Sequence, residues 1–479
     1  MNYKMVFYVM GKIMLVGAAL LILPLAVSFI YRDGCHTAFL ITMACFMIAG
    51  IPGFFSPKKH EFFAREGLLI VAGSWILFSA IGGLPFFLSR QIPSFIDCFF
   101  ETVSGFTTTG STILTNVEAM SKSLLFWRSF THWIGGMGVL VFALMIFSKK
   151  GDRTTHIMRA EMPGPTVGKL VSKWQFTLRI LYLIYLALTL LEFLLLLFGG
   201  MSVFDSLVHT FGTAGTGGFG VKNTSIGYYN SVYIDYVIGI FMVLFGINFN
   251  IYFLLIMRKF SQIKGNNELW TYLAIIFSAT LLVALDILKL YNGFGESFRY
   301  SFFQVSSIIT TTGYATADFN TWPVFSQVIL VLLMFIGSCA SSTGGGIKVV
   351  RVSILVKTAI REIKKTISPK SVMAIKVDGK SADKETIRGV GAYFSVYMFV
   401  FVISVLIIAL DKFDITTSVT SVAATLNNVG PGLGAVGPSG NFSGYSALSK
   451  IVLSFDMLAG RLELYPILML FAPITWKKS

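Results

Sequence analysis

The sequence is poor in charged residues and in cysteine. Only 13% of its 479 residues are charged, whereas 55% are hydrophobic. A soluble domain of this length carries about a quarter charged residues, so a chain that stays dispersed in water is excluded. The cysteines show no CxxC pair, which argues against a disulfide framework or a cysteine-based metal site. They are Cys35, Cys45, Cys98 and Cys339, and we interpret them as buried apolar residues.

Acidic residues are also scarce, and the charge balance is strongly basic. The chain has 38 Lys and Arg against 23 Asp and Glu, a formal net charge of +15. Such a balance is typical of nucleic-acid binding, but most of these Lys and Arg lie in short segments between long apolar runs. That distribution follows the positive-inside rule. The sequence therefore predicts a polytopic membrane protein with no nucleic-acid partner.

Ten apolar runs are long enough to cross a membrane, which takes about 20 residues. One of them, at 322–358, is overlong and interrupted at its middle. We predict that both termini are cytoplasmic, because this topology places all the strongly basic loops on one side of the membrane. The runs lie near residues 12–31, 37–55, 67–88, 124–147, 176–199, 232–256, 270–291, 322–358, 388–410 and 446–474.

Four shorter segments lie between alternate spans, near 94–107, 202–215, 296–310 and 415–427. Taken singly, each is either a re-entrant half-helix or an extracellular interfacial helix. A repeat favours the half-helix, because a Gly/Thr-rich turn follows every segment. Counting from Glu101, His209, Gln304 and Ser421, a glycine falls nine positions later each time, at Gly110, Gly218, Gly313 and Gly430. In the second turn Gly217 and Gly218 are adjacent, which leaves two registers open.

The repeat predicts an all-α membrane fold of four pseudo-symmetric units around one pore. Each unit consists of a helix, a pore helix, a filter segment and a second helix, and two extra transmembrane helices precede the first unit. The predicted boundaries are 1–60 for the N-terminal pair, 61–150 for unit 1, 151–262 for unit 2, 263–365 for unit 3 with its broken second helix, and 366–479 for unit 4.

Four glycine turns about one axis have the chemistry of a cation filter. Rings of backbone carbonyls replace the water around a K⁺ ion. Glycine keeps side chains off the axis and accepts positive φ, and threonine hydroxyls add oxygens. The pore helices would aim their partially negative C-terminal ends at the ion. No ring of acidic side chains is apparent in the sequence.

Several motifs resemble the Trk/Ktr/HKT superfamily of K⁺ transporters. TTTGST, TTTGYATADFNTWP and NNVGPGLG are similar to its filter segments. RSFTHWIGGMG at 128–138, GSCASSTGGGIK at 337–348 and AGRLE at 459–463 resemble its later helices. The two extra N-terminal spans point to the branch that contains TrkH and TrkG.

The resemblance implies a filter with glycine at all four ring positions, and therefore a preference for K⁺. Related plant transporters that prefer Na⁺ have serine at the first position. The implied filter residues are Thr108, Thr109, Gly110, Thr216, Gly217, Gly218, Thr311, Thr312, Gly313, Asn428, Val429 and Gly430. Contacts with K⁺ are expected at Thr109, Gly110, Gly218, Thr312, Gly313, Val429 and Gly430.

A run of three glycines interrupts the third unit at mid-membrane depth. Unwound backbone is tolerated there only beside a cavity. One interpretation is a flexible kink without gating duty. The resemblance instead implies an intramembrane loop that obstructs the pore below the filter, together with an arginine of the last helix. The implied gate residues are Ser341, Ser342, Thr343, Gly344, Gly345, Gly346 and Arg461.

Arg461 is unusual because it lies inside an otherwise apolar span. A guanidinium at such a place is costly, and it is functional or paired by default. A structural ion pair with Asp456 or Glu463 is the alternative, although neither spacing stacks on one helical face. His132 and Trp133 are predicted to be interfacial anchors.

The resemblance also implies partners. It predicts a homodimer with one pore per protomer and a cytosolic TrkA-type regulatory ring that docks on the basic loop Lys348–Arg388. No cofactor is expected on this chain, only K⁺ as the transported ion. ATP/ADP or NAD(H) would bind the partner, since no dinucleotide fingerprint occurs here. The same loop favours contact with anionic membrane lipid, and the implied location is the bacterial inner membrane.

Other classes of function fit the sequence less well. A membrane enzyme needs clustered carboxylates, histidines or a nucleophile, and the sequence offers no such set, so we predict no enzyme. A secondary transporter usually has two inverted halves, unlike four units of one orientation. A Na⁺-permeable protein or an H⁺- or Na⁺-coupled K⁺ symporter on the same fold stays open.

Overall fold

The computed structural model describes residues 2–57, 64–136, 138, 174–369, 374–378 and 380–476. Over these residues the fold is helical apart from one small antiparallel hairpin, β1 (Lys376–Val377) with β2 (Lys380–Ser381). Within the described chain, 6 helices are long and apolar enough to cross a membrane, or 7 if a bent pair counts as one span. The predicted all-α membrane fold is confirmed.

The N-terminal pair of spans stands outside the repeat, as predicted. Its first span is divided at Leu21, where one helix passes into the next, and its second span ends in a 3₁₀ turn. The first helix packs on the second span and on the first helix of unit 1. The bounds are α1 (Tyr3–Leu20), α2 (Ile22–Tyr31) and α3 (His36–Gly50).

The remaining helices fall into four successive units of the same order. Unit 1 contains α4 (Ala64–Gly82), α5 (Leu84–Leu88), the pore helix α6 (Phe95–Phe106) and α7 (Lys122–Gly136). Unit 2 contains α8 (Trp174–Phe198), the pore helix α9 (Val203–Gly215), α10 (Val232–Phe245), α11 (Phe249–Ile256) and α12 (Phe260–Lys264). Unit 3 contains α13 (Asn267–Asp286), the pore helix α14 (Phe294–Ile309), α15 (Val324–Ile336) and α16 (Val349–Ile367). Unit 4 contains α17 (Lys384–Ile408), the pore helix α18 (Ile415–Leu426), α19 (Ala447–Arg461) and α20 (Tyr465–Phe471).

Short polar caps start three of the pore helices. The side chains of Ser94, Ser202 and Asp414 each accept a hydrogen bond from a backbone N–H in the first turn, at 3.4, 3.1 and 3.0 Å. Such caps satisfy donors that a helix start leaves without partners. The four pore helices span 12, 13, 16 and 12 residues. They are too short to cross a membrane, which agrees with the predicted half-helices.

The units pack in a closed cycle. The helix after each filter segment contacts the pore helix of the following unit: α7 packs on α9, α10 on α14 and α15 on α18. The cycle closes because α19 of unit 4 packs on α6 of unit 1. Four pore helices are therefore held around a common centre by one continuous chain.

The helices that follow the filter segments are broken in units 2, 3 and 4. The predicted span 232–256 bends by 89° between α10 and α11, and 322–358 is interrupted between Ile336 and Val349, as predicted. The prediction of one span at 446–474 is wrong, because α19 ends at Arg461 and both Glu463 and Leu464 have positive φ. The predicted span 124–147 is described only up to residue 136 and at residue 138.

Two of these breaks explain part of the difference between the spans counted and the ten predicted. α15 and α19 have 13 and 15 residues, and each is shorter than a membrane-spanning helix requires. The predicted span 124–147 lies partly outside the described residues. Apolarity along the sequence gave the positions of these segments correctly, but it carries no information on where a packed helix unwinds.

Candidate ion pathway

The four repeat glycines form a closed ring, which we call the glycine ring (Gly110, Gly218, Gly313 and Gly430). Each glycine presses on backbone of the next unit so closely that a β-carbon there would lie under 3.0 Å from a carbonyl oxygen. Side chains are therefore excluded at all four positions. The contacts run from Gly110 to the oxygen of Gly217, from Gly218 to that of Thr312, from Gly313 to that of Val429, and from Gly430 to that of Thr109.

The backbone conformation repeats in the same four places. The ring glycines have φ of 86°, 77°, 83° and 103°, in chain order. The residue two positions earlier is left-handed in every unit, with φ of 55° at Thr108, 55° at Thr216, 58° at Thr311 and 55° at Asn428. Since Thr216 matches the other three residues, the ring position in unit 2 is Gly218, and the open register is decided.

Each filter segment is tied back to its own pore helix by one repeated hydrogen bond. The N–H of the residue before the ring glycine donates to a carbonyl of the last pore-helix turn, at 2.7–2.9 Å. In a planar trans peptide the preceding carbonyl points the opposite way, so it points away from the acceptor on the pore helix. These carbonyls belong to Thr108, Thr216, Thr311 and Asn428.

Side chains add a second layer of contacts just below the ring. Thr107 and Thr109 share a hydrogen bond between hydroxyls at 2.8 Å, and Thr310 and Thr312 share the same bond at 2.8 Å. In unit 4 asparagine replaces threonine, and the Asn428 amide donates to the Thr109 hydroxyl at 2.9 Å. The threonines therefore stiffen units 1 and 3, and Asn428 joins unit 4 to unit 1.

A vestibule opens on one side of the glycine ring. This cavity of about 120 Å³ is lined by all four ring glycines and by the backbone that follows them. Arg128 contributes to its wall. The ring glycines thus share one space.

On the other side of the ring lies the interrupted part of unit 3, the loop 337–348. Its backbone N–H groups donate directly to the filter segments: Gly345 to the Thr311 hydroxyl at 2.6 Å and Gly346 to the carbonyl of Asn427 at 3.0 Å. Positive φ at Gly337 and Gly346 lets the loop make these turns. Backbone of unit 3 therefore lies immediately beneath filter segments 3 and 4.

Arg461 connects this loop to the opposite side of the pore. One guanidinium nitrogen donates to the carbonyl of Thr343 at 2.7 Å. The other donates to the carbonyls of Gly135 and Gly136, at 2.5 and 3.1 Å. Loop 337–348, the end of α7 and the end of α19 are joined at one guanidinium.

The acidic residues considered as partners of Arg461 are engaged elsewhere. Glu463 forms an ion pair with Arg351 at 2.5 Å, and Asp456 accepts a hydrogen bond from Ser404 at 2.8 Å. The pair of Glu463 with Arg351 stabilises the break between α19 and α20. Sequence spacing could not indicate that pair, because its members lie 112 residues apart.

The sequence did not reveal two side chains that hold the loop, Lys348 at its end and Glu268 of α13. Lys348 is buried, and its ammonium donates to the carbonyl of Gly344. The Glu268 carboxylate accepts from the N–H of Ala340 at 2.7 Å. The prediction of His132 as an interfacial anchor is wrong, because the side chain is fully buried and its ring lies 4.1 Å from that of Phe219.

An ion pair behind the ring was also missed. In the sequence, Glu101 only marks the position from which the repeat is counted. In the structure its carboxylate forms an ion pair with Arg128 at 2.5 Å, and both side chains are almost completely buried. The sequence does carry one indication of this pair. A polar residue recurs nine positions before each ring glycine, and in unit 1 that residue is the carboxylate Glu101.

Comparison with known proteins gives consistent matches along the chain. The family model described as "TrkH: Cation transport protein" matches residues 36–478. The chain is 36% identical to the Trk system potassium uptake protein TrkH of Escherichia coli K12, over 100% of both chains. It is 33% identical to TrkG of the same strain, over 95% of this chain and 94% of that protein. The crystal structure of the potassium transporter TrkH from Vibrio parahaemolyticus superposes with a TM-score of 0.89 at 33% identity, over 100% of both chains.

The tight ring predicts that an added methyl group destabilises the protein. In Gly218→Ala the β-carbon would overlap the carbonyl of Thr312, at a φ of 77°. We expect the free energy of unfolding to fall by about 1–3 kcal/mol, read as a lower melting temperature in detergent. The control Gly391→Ala adds a methyl group to a helix position with no atom within 4 Å. Equal melting temperatures for both variants would contradict the tight contact.

Proposed function

The chain belongs to the TrkH family of cation transport proteins, and from this premise we propose that it carries K⁺ across a membrane through the glycine ring. The observation that carries the proposal is the closed cycle of glycine–carbonyl contacts. Relatives named as potassium uptake proteins support K⁺ as the ion.

The proposed filter binds a dehydrated ion with backbone oxygens. Backbone carbonyls of the four filter segments would supply a ring of oxygens of the kind that replaces hydration water around K⁺. The pore helices end at the filter, so their partially negative C-termini favour a cation there. The ion would contact Thr109, Gly110, Gly218, Thr312, Gly313, Val429 and Gly430.

We propose that residues 341–346 and Arg461 close the pore below the filter. The loop donates N–H groups to filter segments 3 and 4, and Arg461 bridges it to α7. Lys348, whose side chain is buried, adds a second cation next to Thr343 and Gly344. Two positive charges in a space of low dielectric constant would oppose a cation strongly. Conduction would require the loop and Arg461 to separate.

The same proposal includes a regulated assembly in the bacterial inner membrane. The protein would be a homodimer with one pore per protomer, and a cytosolic TrkA-type ring that binds nucleotide would dock on the basic segment that includes α16. In support, α16 exposes Lys364 and Lys365 in its last turn and has a strongly one-sided apolar face. That combination also favours contact with anionic lipid headgroups.

Radioactive Rb⁺ uptake into liposomes tests the transport function directly. The purified chain should take up Rb⁺, unlabelled K⁺ should compete, and Na⁺ should compete poorly. Imposed proton and Na⁺ gradients separate uncoupled permeation from symport, because only a coupled transporter accumulates Rb⁺ against its electrochemical gradient. Absence of Rb⁺ uptake, or equal competition by Na⁺, would argue against the proposal.

A serine at the first ring position should weaken selectivity. In Gly110→Ser the side chain would collide with the carbonyl of Gly217 and displace the oxygens of the filter. We expect discrimination against Na⁺ to fall by about tenfold, since each 1.4 kcal/mol of lost preference is a factor of ten. The measurement is competition of Na⁺ with Rb⁺ uptake, with Gly391→Ser as control. Unchanged selectivity would remove Gly110 from the filter.

Loss of the arginine bridge should open the pore. In Arg461→Ala three backbone carbonyls lose their donor, so we expect Rb⁺ uptake without any regulatory partner to rise several-fold. Deletion of residues 341–346 should act in the same direction. Arg361→Ala is the control, because that arginine pairs with its neighbour Glu362 at the surface. Wild-type uptake in both gate variants would refute the gate.

A further inference from the structure

The position nine residues before each ring glycine holds a buried polar side chain behind the filter. In unit 1 the Glu101 carboxylate accepts from the N–H of Ile113 at 3.0 Å. In unit 3 Gln304, with its amide oxygen turned to the backbone donors, accepts from the N–H of Thr316 at 2.8 Å. Ile113 and Thr316 both lie three residues after their ring glycines. The two side chains therefore hold the outgoing filter backbone in the same way.

Unit 1 differs from unit 3 because its side chain is charged. The Glu101 carboxylate also accepts from the Thr112 hydroxyl at 2.9 Å and pairs with Arg128 at 2.5 Å. The exposed fractions of the Arg128 and Glu101 side chains are 3% and 0%. Removal of either member would leave the other charge buried without its partner, which is strongly unfavourable.

Arg128 extends the contact from unit 1 into unit 2. Its guanidinium donates to the carbonyl of Gly220 at 3.3 Å and lies 3.4 Å from the centre of the Phe219 ring. Phe219 and Gly220 directly follow the ring glycine Gly218. The ion pair thus holds the outgoing backbone of two adjacent filter segments, at the junction where Gly110 meets Gly217.

We propose that Glu101 and Arg128 form a positioning pair, which sets the separation of filter segments 1 and 2 and so contributes to discrimination between K⁺ and Na⁺. The inference rests on the proposed function. Carbonyl rings select K⁺ by their size or by the number and strength of their dipoles. Both depend on the relative position of adjacent segments. A looser junction would let the carbonyls close around the smaller Na⁺ ion.

The pair also balances charge at the vestibule. Arg128 forms part of the vestibule wall, and the carboxylate of Glu101 neutralises it. Glu101→Gln would keep a hydrogen-bond acceptor, as Gln304 does in unit 3, but would leave the guanidinium uncompensated. Cations would then meet a positive wall before they reach the ring. The half-saturation concentration for Rb⁺ should therefore rise in this variant.

The test compares the ratio of Rb⁺ to Na⁺ uptake in liposomes that contain the full chain. We expect Glu101→Gln and Arg128→Lys each to lower that ratio about threefold to tenfold, the scale of one typical intramolecular hydrogen bond. The double variant Glu101→Gln/Arg128→Met removes the buried charge altogether. Its Rb⁺ uptake rate should exceed that of Glu101→Gln, while its ratio stays low because the bond to Gly220 is absent.

Lys222→Met is the matched control. Lys222 and Glu118 also link unit 2 to unit 1, at 3.3 Å, but their side chains are 23% and 42% exposed. Such an exposed pair contributes little, so the uptake ratio should equal that of the wild type. A ratio is independent of the amount of folded protein, so low yield of one variant does not obscure the comparison.

The outcomes separate this inference from the proposed function. Wild-type protein that shows no preference for Rb⁺ over Na⁺ would refute both. A wild-type preference that persists in Glu101→Gln, Arg128→Lys and the double variant would refute only the positioning pair, and would leave it a purely structural ion pair. A lowered ratio in the pair variants, with an unchanged ratio in Lys222→Met, supports it.

Discussion

The structure depends on the contact between each ring glycine and a carbonyl oxygen of the next unit. Space for a side chain is absent at this contact, so the four filter segments approach one another as closely as bare backbone allows. Two further features of the centre keep the filter segments in this close contact. Carbonyls of the pore helices accept hydrogen bonds from the N–H groups of the filter segments. The cycle of helix packing holds the four units in place.

Below the ring, the loop 337–348 that interrupts unit 3 makes hydrogen bonds that connect it to all four units. Loop 337–348 bonds to α10 through the hydroxyl of Thr343, to filter segments 3 and 4 through backbone N–H groups, and to units 1 and 4 through Arg461. An irregular segment at this depth satisfies its polar groups only with such partners. Hydrogen bonds to other segments therefore hold the loop in place, although its sequence predicts only a break.

Much of the architecture could be predicted, because it follows from local rules. Apolar length located the spans, and short mixed segments before Gly/Thr turns located the half-helices within one or two residues. The register of unit 2 could not be chosen from two adjacent glycines, and only the left-handed conformation of Thr216 decided it. The break after Arg461 and the pairing of Glu101 with Arg128 depend on contacts between distant parts of the chain. His132 was misjudged for the same reason, since its neighbours come from other helices.

Covalent continuity of the four units has a consequence for how the pore can vary. In a channel built from four identical subunits, one codon change places the same substitution in all four segments around the axis. Here each quarter has its own codons, so Asn428-Val429-Gly430-Pro431 stands beside three segments of different composition. An axis lined in this way can diverge one quadrant at a time, so units 1 and 3 can keep the same TTTG run while units 2 and 4 differ from it.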